Sequence, residues 1–404
     1  MLWGGMGKHI WLSLAGLILG ASGAAAQDSP NRLTPQEIAQ GWILLWDGET
    51  MFGWESHGGA EWKIANGALV GDSAQGGWLG STTAFADYEL RCEFRTAGDG
   101  NSGVFLRSAR EGAPHQTGYE LQIYDAHPGG YNTGSLVGYA KASEAKIVPG
   151  QWNRFEVTAE GDRFVVVYNG RKILDARDGQ HPVGVIGLQY NQGKKVEFRN
   201  LKLRPLGLKP IFNGRDLSGW TKVERAGGVK APPEWSAKDG AIHVEKGPGQ
   251  LETDGSWGDF ILQLEIRTNA MNPTHHPNSG VFLRADKGKF WTGYEIQIRN
   301  EYKEGNRAAP VDFGTGGVYF HQPTRRVVSN DNEFFTETIV AQGRHLSVWV
   351  TGIQVADFQD TREEGMEPRK QARLAPGPIS LQAHDPTTNL DFRNLRLVPL
   401  PKGH

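Results

Sequence analysis

Short segments of this chain alternate between apolar and polar residues. The segments 88–95 (YELRCEFR) and 119–123 (YELQI) both show the alternation. Because successive side chains of a β-strand point to opposite faces, the pattern predicts strands with one face in a core. In the second segment, the tyrosine and the two aliphatic residues face the core, and Glu120 and Gln122 lie on the opposite face. The same split sets Glu295 and Gln297 apart from their apolar neighbours in 294–298 (YEIQI).

Turn signals separate these segments. An Asn169-Gly170 pair between two apolar runs predicts a β-hairpin. The 54 glycines and 21 prolines are typical of many short strands joined by turns and not of long helices. The sequence therefore predicts an all-β protein built of packed antiparallel sheets.

The chain also repeats itself. NSGVFLR occurs identically at 101–107 and 278–284, and TGYELQI (117–123) matches TGYEIQI (292–298). Further pairs follow in the same order: 45–54 with 211–220, 133–139 with 315–321, and 196–206 with 390–400. A repeat of this length predicts duplicated domains. We expect two tandem jelly-roll β-sandwiches, at residues 42–206 and 207–400.

The N-terminus has the features of a signal peptide at residues 1–26. Lys8 and His9 precede an apolar run, 10–19, and the small residues 24–26 resemble a cleavage site. The run is shorter than the roughly 20 residues that a membrane span needs, which disfavours an anchor. We therefore expect an exported protein, periplasmic or extracellular, without a membrane span.

Residues 27–41 form the predicted linker. Thr34 is a good N-cap, Pro35 suits the first helical position, and Glu37 completes a capping box. Gly41 can end the helix. The linker is thus predicted to contain one short helix.

Composition narrows the possible partners. The formal net charge is −2, which gives no electrostatic reason to expect nucleic acid. The single cysteine, Cys92, allows no intrachain disulfide. The expected partner is a small-molecule or oligosaccharide substrate, on the grounds of the candidate residues described below.

Polar residues on the predicted strands are the candidates for chemistry. If one sheet carried them all, its outer face would hold Glu93, Arg95, Arg107, Glu120 and Gln122. Glu93 and Arg95 are equally well explained as cross-strand pairs. Glu is depleted in strands, yet both copies place Glu-x-Gln in the middle of one. Such a face, with aromatic residues like those at 78 and 291, suits sugar binding.

Other chemistries fit the sequence less well. A retaining glucanase needs two nearby carboxylates. Glu120 and Asp125 qualify, but the second copy has Asn300 at the second position. The pair at 275–276 (HH) lacks the spacing of zinc ligands. No phosphate-binding loop or serine nucleophile elbow is present.

The ordered motifs resemble the 3-keto-disaccharide hydrolase domain family. They are FNG-x-x-L-x-GW, NSGVFLR, GYE-x-Q-I, TG-x-x-Y, the Asn-Gly hairpin, I-x-LQ-x-H and FRN-L, and they cover 42–206 and 208–400. The resemblance implies a concanavalin-like jelly roll that acts on 3-keto glycosides. The first copy has Val137 and Asn191 where the family usually has Tyr and His. The second copy has Tyr319 and His384, but Asn300 in place of the Asp that the first copy has at position 125.

The chemistry of a 3-keto glycoside suggests roles for these residues. The ketone acidifies the C2 proton, so a base can remove it, the C1 substituent can leave, and water can add back. Candidate catalytic residues are Glu120 or Glu295 as base, Arg107 or Arg284 as enolate stabiliser, Tyr319 or His384 as acid, and Asp125. Candidate substrate-binding residues are Gln122, Gln297, Asn101, Asn278 and His321. No cofactor is expected; a divalent cation could replace the arginine, although no ligand set stands out.

Two main interpretations remain open from the sequence, beside a structural or assembly role at the cell surface. One is the enzyme just described, with the second copy slightly favoured because it keeps Tyr319 and His384. The other is a non-catalytic, lectin-like carbohydrate-binding protein, because neither copy has the full family set. In both interpretations, the strands carrying NSGVFLR and GYE-x-Q should be neighbours, with Arg107 and Arg284 within reach of the glutamates.

Overall fold

The computed structural model describes residues 29–401, apart from residues 226, 228–230, 366 and 368–369. The predicted signal peptide, 1–26, lies outside the described residues. Within the described part, no helix is long and apolar enough to cross a membrane.

Helices are few and short. The predicted linker helix is present as α1 (Pro35–Ala39), and its capping box is complete. The Thr34 hydroxyl accepts from the Glu37 amide at 3.1 Å, and the Thr34 amide donates to the Glu37 carboxylate at 2.9 Å. The other helices in the described part of the chain are α2 (Pro114–Thr117) and a 3-10 turn at Lys303–Gly305.

The first copy contains thirteen strands in two antiparallel sheets. They are β1 (Ile43–Leu44), β2 (Trp54–Gly58), β3 (Trp62–Ala65), β4 (Ala68–Gly71), β5 (Gly77–Phe85), β6 (Tyr88–Thr96), β7 (Ser102–Ser108), β8 (Tyr119–Ile123), β9 (Asn153–Glu160), β10 (Arg163–Tyr168), β11 (Arg171–Arg177), β12 (Gly184–Tyr190) and β13 (Val196–Pro205). The larger sheet has the order β11-β10-β9-β6-β13-β4-β3, with β1 beside β13. The smaller sheet has the order β2-β5-β12-β7-β8.

The second copy repeats this arrangement. Its strands are β14 (Lys209–Pro210), β15 (Trp220–Glu224), β16 (Glu234–Lys238), β17 (Ala241–Glu245), β18 (Gly249–Thr253), β19 (Phe260–Thr268), β20 (Ser279–Leu283), β21 (Tyr294–Ile298), β22 (Phe335–Gln342), β23 (His345–Val350), β24 (Ile353–Gln359), β25 (Ser380–Ala383) and β26 (Asn389–Pro399). The larger sheet has the order β16-β17-β26-β19-β22-β23-β24, with β14 beside β26, and the smaller one β15-β18-β25-β20-β21. The protein is thus all-β, two tandem jelly-roll sandwiches.

Alternation identified the core side of the strands correctly. The apolar residues of β8 and β21 are buried, as are those of β6. They pack with apolar residues of the opposite sheet in each copy's core. The strands that carry NSGVFLR and GYE-x-Q are neighbours, as predicted: β7 pairs with β8, and β20 pairs with β21.

The two sandwiches contact each other through side chains of the second. The Trp349 indole donates to the Leu44 carbonyl at 2.9 Å, and the Thr83 and Ser347 hydroxyls lie 2.7 Å apart. Nε2 of His345 lies 2.8 Å from Asp357 and 3.4 Å from Ser347. Asp357 and Ser347 thus contact the same nitrogen of His345, whereas the aspartate and serine of a catalytic triad contact different ring nitrogens of the histidine. This buried group of three side chains is therefore a structural link between the domains.

Candidate active site

Two rows of residues cross the outer face of the smaller sheet in the second copy. We call these rows the polar face of the second copy. The strand register defines the Gln row on β18, β25, β20 and β21, and a parallel Glu row beside it. The Gln row is Gln250, Gln382, Gly280 and Gln297; the Glu row is Glu252, Ser380, Phe282 and Glu295.

The amides of the Gln row are buried and incompletely satisfied. Nε2 of Gln250 and Oε1 of both Gln382 and Gln297 have no hydrogen-bond partner among the described residues. A buried polar atom without a partner costs about 1–3 kcal/mol, and native proteins contain few of them. Three such atoms in one row fit a ligand that both donates and accepts hydrogen bonds, such as a sugar.

The Glu295 carboxylate lies at the centre of this row. A Cβ built on Gly280 would lie 2.9 Å from Cγ and Oε1 of Glu295, so the glutamate leans over the glycine. Gly280 separates Gln382 from Gln297, and Glu295 is only 5% exposed. The carboxylate is thus held among amides and away from bulk water.

Hydrogen bonds fix the side chains at the β21 end of the row. The Gln297 amide donates to Oδ1 of Asn278 at 3.2 Å and to the Asp312 carbonyl at 2.9 Å. Nε2 of His384 lies 3.4 Å from Nδ2 of Asn278. Nδ1 of His384 lies 2.8 Å from Asp385, and this hydrogen bond holds the pKa of Asp385 well below its usual range. His384 is therefore oriented by Asp385 with its other nitrogen toward Asn278.

Two loops flank the polar face. On one side, the Tyr319 amide donates to the Glu295 carbonyl at 2.8 Å. On the other, the Trp291 amide donates to Oε1 of Gln250 at 2.8 Å. The same loop places the Gly288 amide 3.0 Å from Glu252, whose pKa burial raises. The structure thus gathers five predicted site residues here: Glu295, Gln297, Asn278, Tyr319 and His384.

The equivalent face of the first copy carries a tryptophan where the second copy has a glutamine of the Gln row. By strand register Trp78 stands where the second copy has Gln250. Its indole stacks on His57 at 4.1 Å and lies over two glycines, Gly80 and Gly187. The surface that is polar in the second copy is therefore covered by an aromatic ring in the first.

The first copy keeps a glutamate, Glu120, at the position equivalent to Glu295. Gln189 donates to Oε1 of Glu120 at 3.2 Å, and burial raises the pKa of Glu120. Oε1 of Gln122 accepts from the backbone amide of Ile123. Asn101 is half-buried just before β7. The roles of Glu120, Gln122 and Asn101 stay predictions.

The structure corrects the role predicted for the two arginines. Both guanidiniums are fully buried, and Arg107 donates to the Ala86 and Gly161 carbonyls and to Asp87. Arg284 donates in the same way to three carbonyls and to Asp259. Each arginine has φ near +53°, which interrupts the strand alternation and turns the side chain away from the glutamate. Neither cation is available to an enolate on the outer face.

Two other predicted site residues also have structural roles. Asp125 accepts from the Thr133 hydroxyl at 2.5 Å and from the Ile147 amide at 2.9 Å, so it ties two loops together. Its equivalent Asn300 makes comparable loop contacts, which explains why the carboxylate is dispensable there. His321 stacks on Phe358 and packs near the core-facing Tyr294, on the other side of β21 from Glu295.

The pair Glu93 and Arg95 lies in the larger sheet, not beside Glu120. Glu93 pairs with Arg199 at 2.7 Å, and Arg95 pairs with Glu197 at 2.5 Å, both on the neighbouring strand β13. These are the cross-strand pairs considered from the sequence. In the described ranges, no group of three or more His, Cys, Asp or Glu side chains is arranged to hold a metal ion.

Sequence reasoning missed Gln250, Gln382 and Asp312. A signal was present, because both glutamines stand next to a leucine in short strands, GQLET and SLQA, as Gln297 stands next to an isoleucine in YEIQI. Their alignment in one row depends on pairing between β18 and β25, which lie more than a hundred residues apart in sequence. Nothing local predicts that register.

The family to which this chain is similar was identified by comparison with known proteins, and its model matches both copies. Residues 41–204 and 207–398 match the family model of the 3-keto-alpha-glucoside-1,2-lyase-like domain. A 3-keto-disaccharide hydrolase of Bacteroides thetaiotaomicron is 23% identical, with 42% of this chain aligned to 79% of that relative.

Solved structures similar to parts of this chain include two bacterial proteins. A proposed glycosyl hydrolase from Parabacteroides distasonis has 23% identity and a TM-score of 0.39, covering 44% of this chain and all of its own. The carbohydrate-binding module CBM66 from Bacillus subtilis has 20% identity and a TM-score of 0.31, covering 37% of this chain and 94% of its own.

Proposed function

Both halves of the chain belong to the 3-keto-alpha-glucoside-1,2-lyase-like family, and from that membership we propose that the protein cleaves 3-keto glycosides on the polar face of its second copy. One observation carries the choice of site. Three buried amides with unpartnered atoms lie in a single row with Gly280, the glycine that the Glu295 carboxylate covers. A polyhydroxylated ligand would satisfy those atoms and place a carbon acid next to a base.

Glu295 is the proposed base. The C3 ketone acidifies the proton on C2, and the carboxylate takes that proton while the electron pair moves into the enolate. Glu295 is nearly excluded from water, which strengthens the electrostatic interaction between its carboxylate and a bound substrate. The arginines are directed elsewhere, so the enolate oxygen needs another donor.

The Gln250 amide is the proposed donor for that oxygen. Its Nε2 is buried without a partner, and its Oε1 is fixed by the Trp291 amide. Amide side chains that are held in place stabilise oxyanions without reorganising during the reaction. Gln250 thus takes the role that the sequence suggested for an arginine.

The leaving group requires an acid. As the C1–O bond breaks, the departing oxygen takes a proton, and His384 or Tyr319 can supply it. His384 is oriented by Asp385, and Tyr319 adjoins Glu295 through its backbone. Water then adds across the C1–C2 double bond, with oxygen to C1 and a proton to C2. The net result is hydrolysis.

Incubation of the purified protein with 3-keto-trehalose, 3-keto-sucrose and 3-keto-lactose tests this function. Chromatography should detect a free sugar from at least one of them. In D2O the product should carry deuterium at C2, because that proton is removed and returned. Binding of all three sugars without release or exchange would contradict the proposal.

A non-catalytic carbohydrate-binding protein is the second candidate. The observation that favours it is the composition of the two rows, which contain amides, acids and an aromatic ring but no arginine or lysine. Such a face can hold a sugar by hydrogen bonds alone. Binding without turnover is the result that this candidate predicts.

We also propose that the protein is exported. The support is the sequence pattern of residues 1–26, with small residues before Gln27. Mass spectrometry of the mature protein from its native host should give an N-terminus at Gln27. An intact N-terminal segment in that material would contradict export by cleavage.

A further inference from the structure

Phe320 adopts a backbone conformation that an aromatic residue rarely takes. Its φ is +66°, and its side chain is 54% exposed. The equivalent residue of the first copy is Gly138, with φ of +83°. The turn is therefore the same in both copies, and glycine is the residue that adopts it without strain. In the second copy a large aromatic side chain is kept there although the conformation is unfavourable for it.

Two more aromatic residues of the second copy share this feature. Trp291 has φ of +66° and is 41% exposed, and Phe313 has φ of +68°. In the described part of the first copy, the non-glycine residues with positive φ are Arg107 and asparagines, which tolerate the conformation better. Among the described residues, aromatic residues with positive φ thus occur in the second copy and not in the first.

These strained residues flank the polar face. The Phe320 ring packs edge-on against the Tyr319 ring, with the ring centroids 4.5 Å apart. The backbone amide of Tyr319 is hydrogen-bonded to the carbonyl of the β21 residue Glu295. The backbone amide of Trp291 is hydrogen-bonded to the side chain of Gln250 on β18. Strands β18 and β21 are three strand spacings apart, about 14 Å. The two aromatic residues therefore adjoin opposite ends of the Gln row.

We propose that Phe320 and Trp291 are specificity-determining residues that stack on the two rings of a disaccharide lying along the Gln row. The proposal rests on the proposed function for the location of the site, and adds that the substrate has at least two sugar rings. Packing alone does not account for a half-exposed ring at a strained position. Contact with the apolar face of a sugar does, since strain is commonly retained at ligand sites.

Substitution by glycine separates the two roles. Phe320→Gly and Trp291→Gly remove the ring and relieve the left-handed backbone, and Met271→Gly removes an exposed apolar side chain from another loop of the same copy. All three are made on a Glu295→Gln background, so that sugars are not consumed. Calorimetry measures affinity for the three 3-keto disaccharides and for 3-keto-glucose, and scanning calorimetry measures Tm.

We expect each aromatic variant to bind the preferred disaccharide about tenfold more weakly, with Tm not lowered. The preference for disaccharide over 3-keto-glucose should shrink, and Met271→Gly should match its parent. Unchanged affinity in both variants would overturn the proposal, as would a lowered Tm with intact binding, which is the mark of a packing role. So would failure of the parent to bind any of the disaccharides. Wild-type protein that binds without turnover contradicts the proposed function and leaves this inference standing.

Discussion

The carboxylate of Glu295 lies over Gly280, so close that a Cβ on the glycine would lie 2.9 Å from Oε1. The first copy has the same relationship between Glu120 and Gly103, at 3.1 Å. We predict that Gly280→Ala folds normally, because a flexible carboxylate can move aside, but lowers kcat by displacing the base. A shift of about 1 Å at a reacting group can cost on the order of a hundredfold.

Gly103→Ala is the matched control for that substitution. It crowds Glu120 in the same way in the copy that we consider inactive. Rates of sugar release and Tm are measured for both variants. Equal rates for the two variants would argue against a special role for the Gly280 position.

Gln250→Glu tests the proposed oxyanion donor. The variant keeps an oxygen for the Trp291 amide and removes the unpartnered N–H. We expect kcat to fall by about 10²–10³ with a smaller change in KM, as for other oxyanion donors. Gln116→Glu, at the exposed first-copy position equivalent to Trp291, is the control. A change confined to KM would show that Gln250 only binds substrate.

The sequence predicted the faces of the strands better than the contents of the site. Alternation placed Glu295 and Gln297 correctly because every residue of β21 is extended. It failed at Arg284, where a positive φ reverses the side chain. It was silent on Gln250, since the row that joins Gln250 to Gln297 is formed by pairing between distant strands. The side of the sheet on which a residue lies is set locally within its strand, whereas its cross-strand neighbours depend on how the whole sheet pairs.

Arg284→Met tests whether this arginine is structural. Its guanidinium satisfies the Gly258, Gly343 and Arg373 carbonyls and Asp259, all of which lie outside the strands. Removing it leaves those acceptors unpaired, so the free energy of unfolding should fall by about 3–5 kcal/mol. Arg215→Met, at an exposed position, should change little. Full stability of Arg284→Met with loss of sugar release would restore the catalytic role.

Glu337 should make stability depend on pH. It is fully buried opposite Leu264 and Val350, neither carboxylate oxygen has a partner among the described residues, and burial raises its pKa to about 8. Between pH 4.5 and 8 the unfolded chain releases this proton and the folded chain keeps it. Stability should therefore fall by a few kcal/mol as pH rises through that range.

Urea denaturation at several pH values measures this effect. Glu337→Gln should remove the decline, because the amide does not titrate and imitates the protonated acid. The control is Glu333→Gln, at an exposed position two residues before β22 begins. This variant should keep the decline in stability. Parallel pH profiles for Glu337→Gln and the wild type would show that Glu337 is not the group responsible.

The assignment of the reaction to the second copy is tested most directly by exchanging each glutamate for its amide. Sugar release from the 3-keto disaccharide that the wild type prefers is measured for Glu295→Gln and Glu120→Gln, with binding measured alongside. The account predicts that Glu295→Gln binds the sugar but loses turnover by at least about a hundredfold, and that Glu120→Gln keeps most of the wild-type rate. Loss of turnover in Glu120→Gln with an active Glu295→Gln would contradict it.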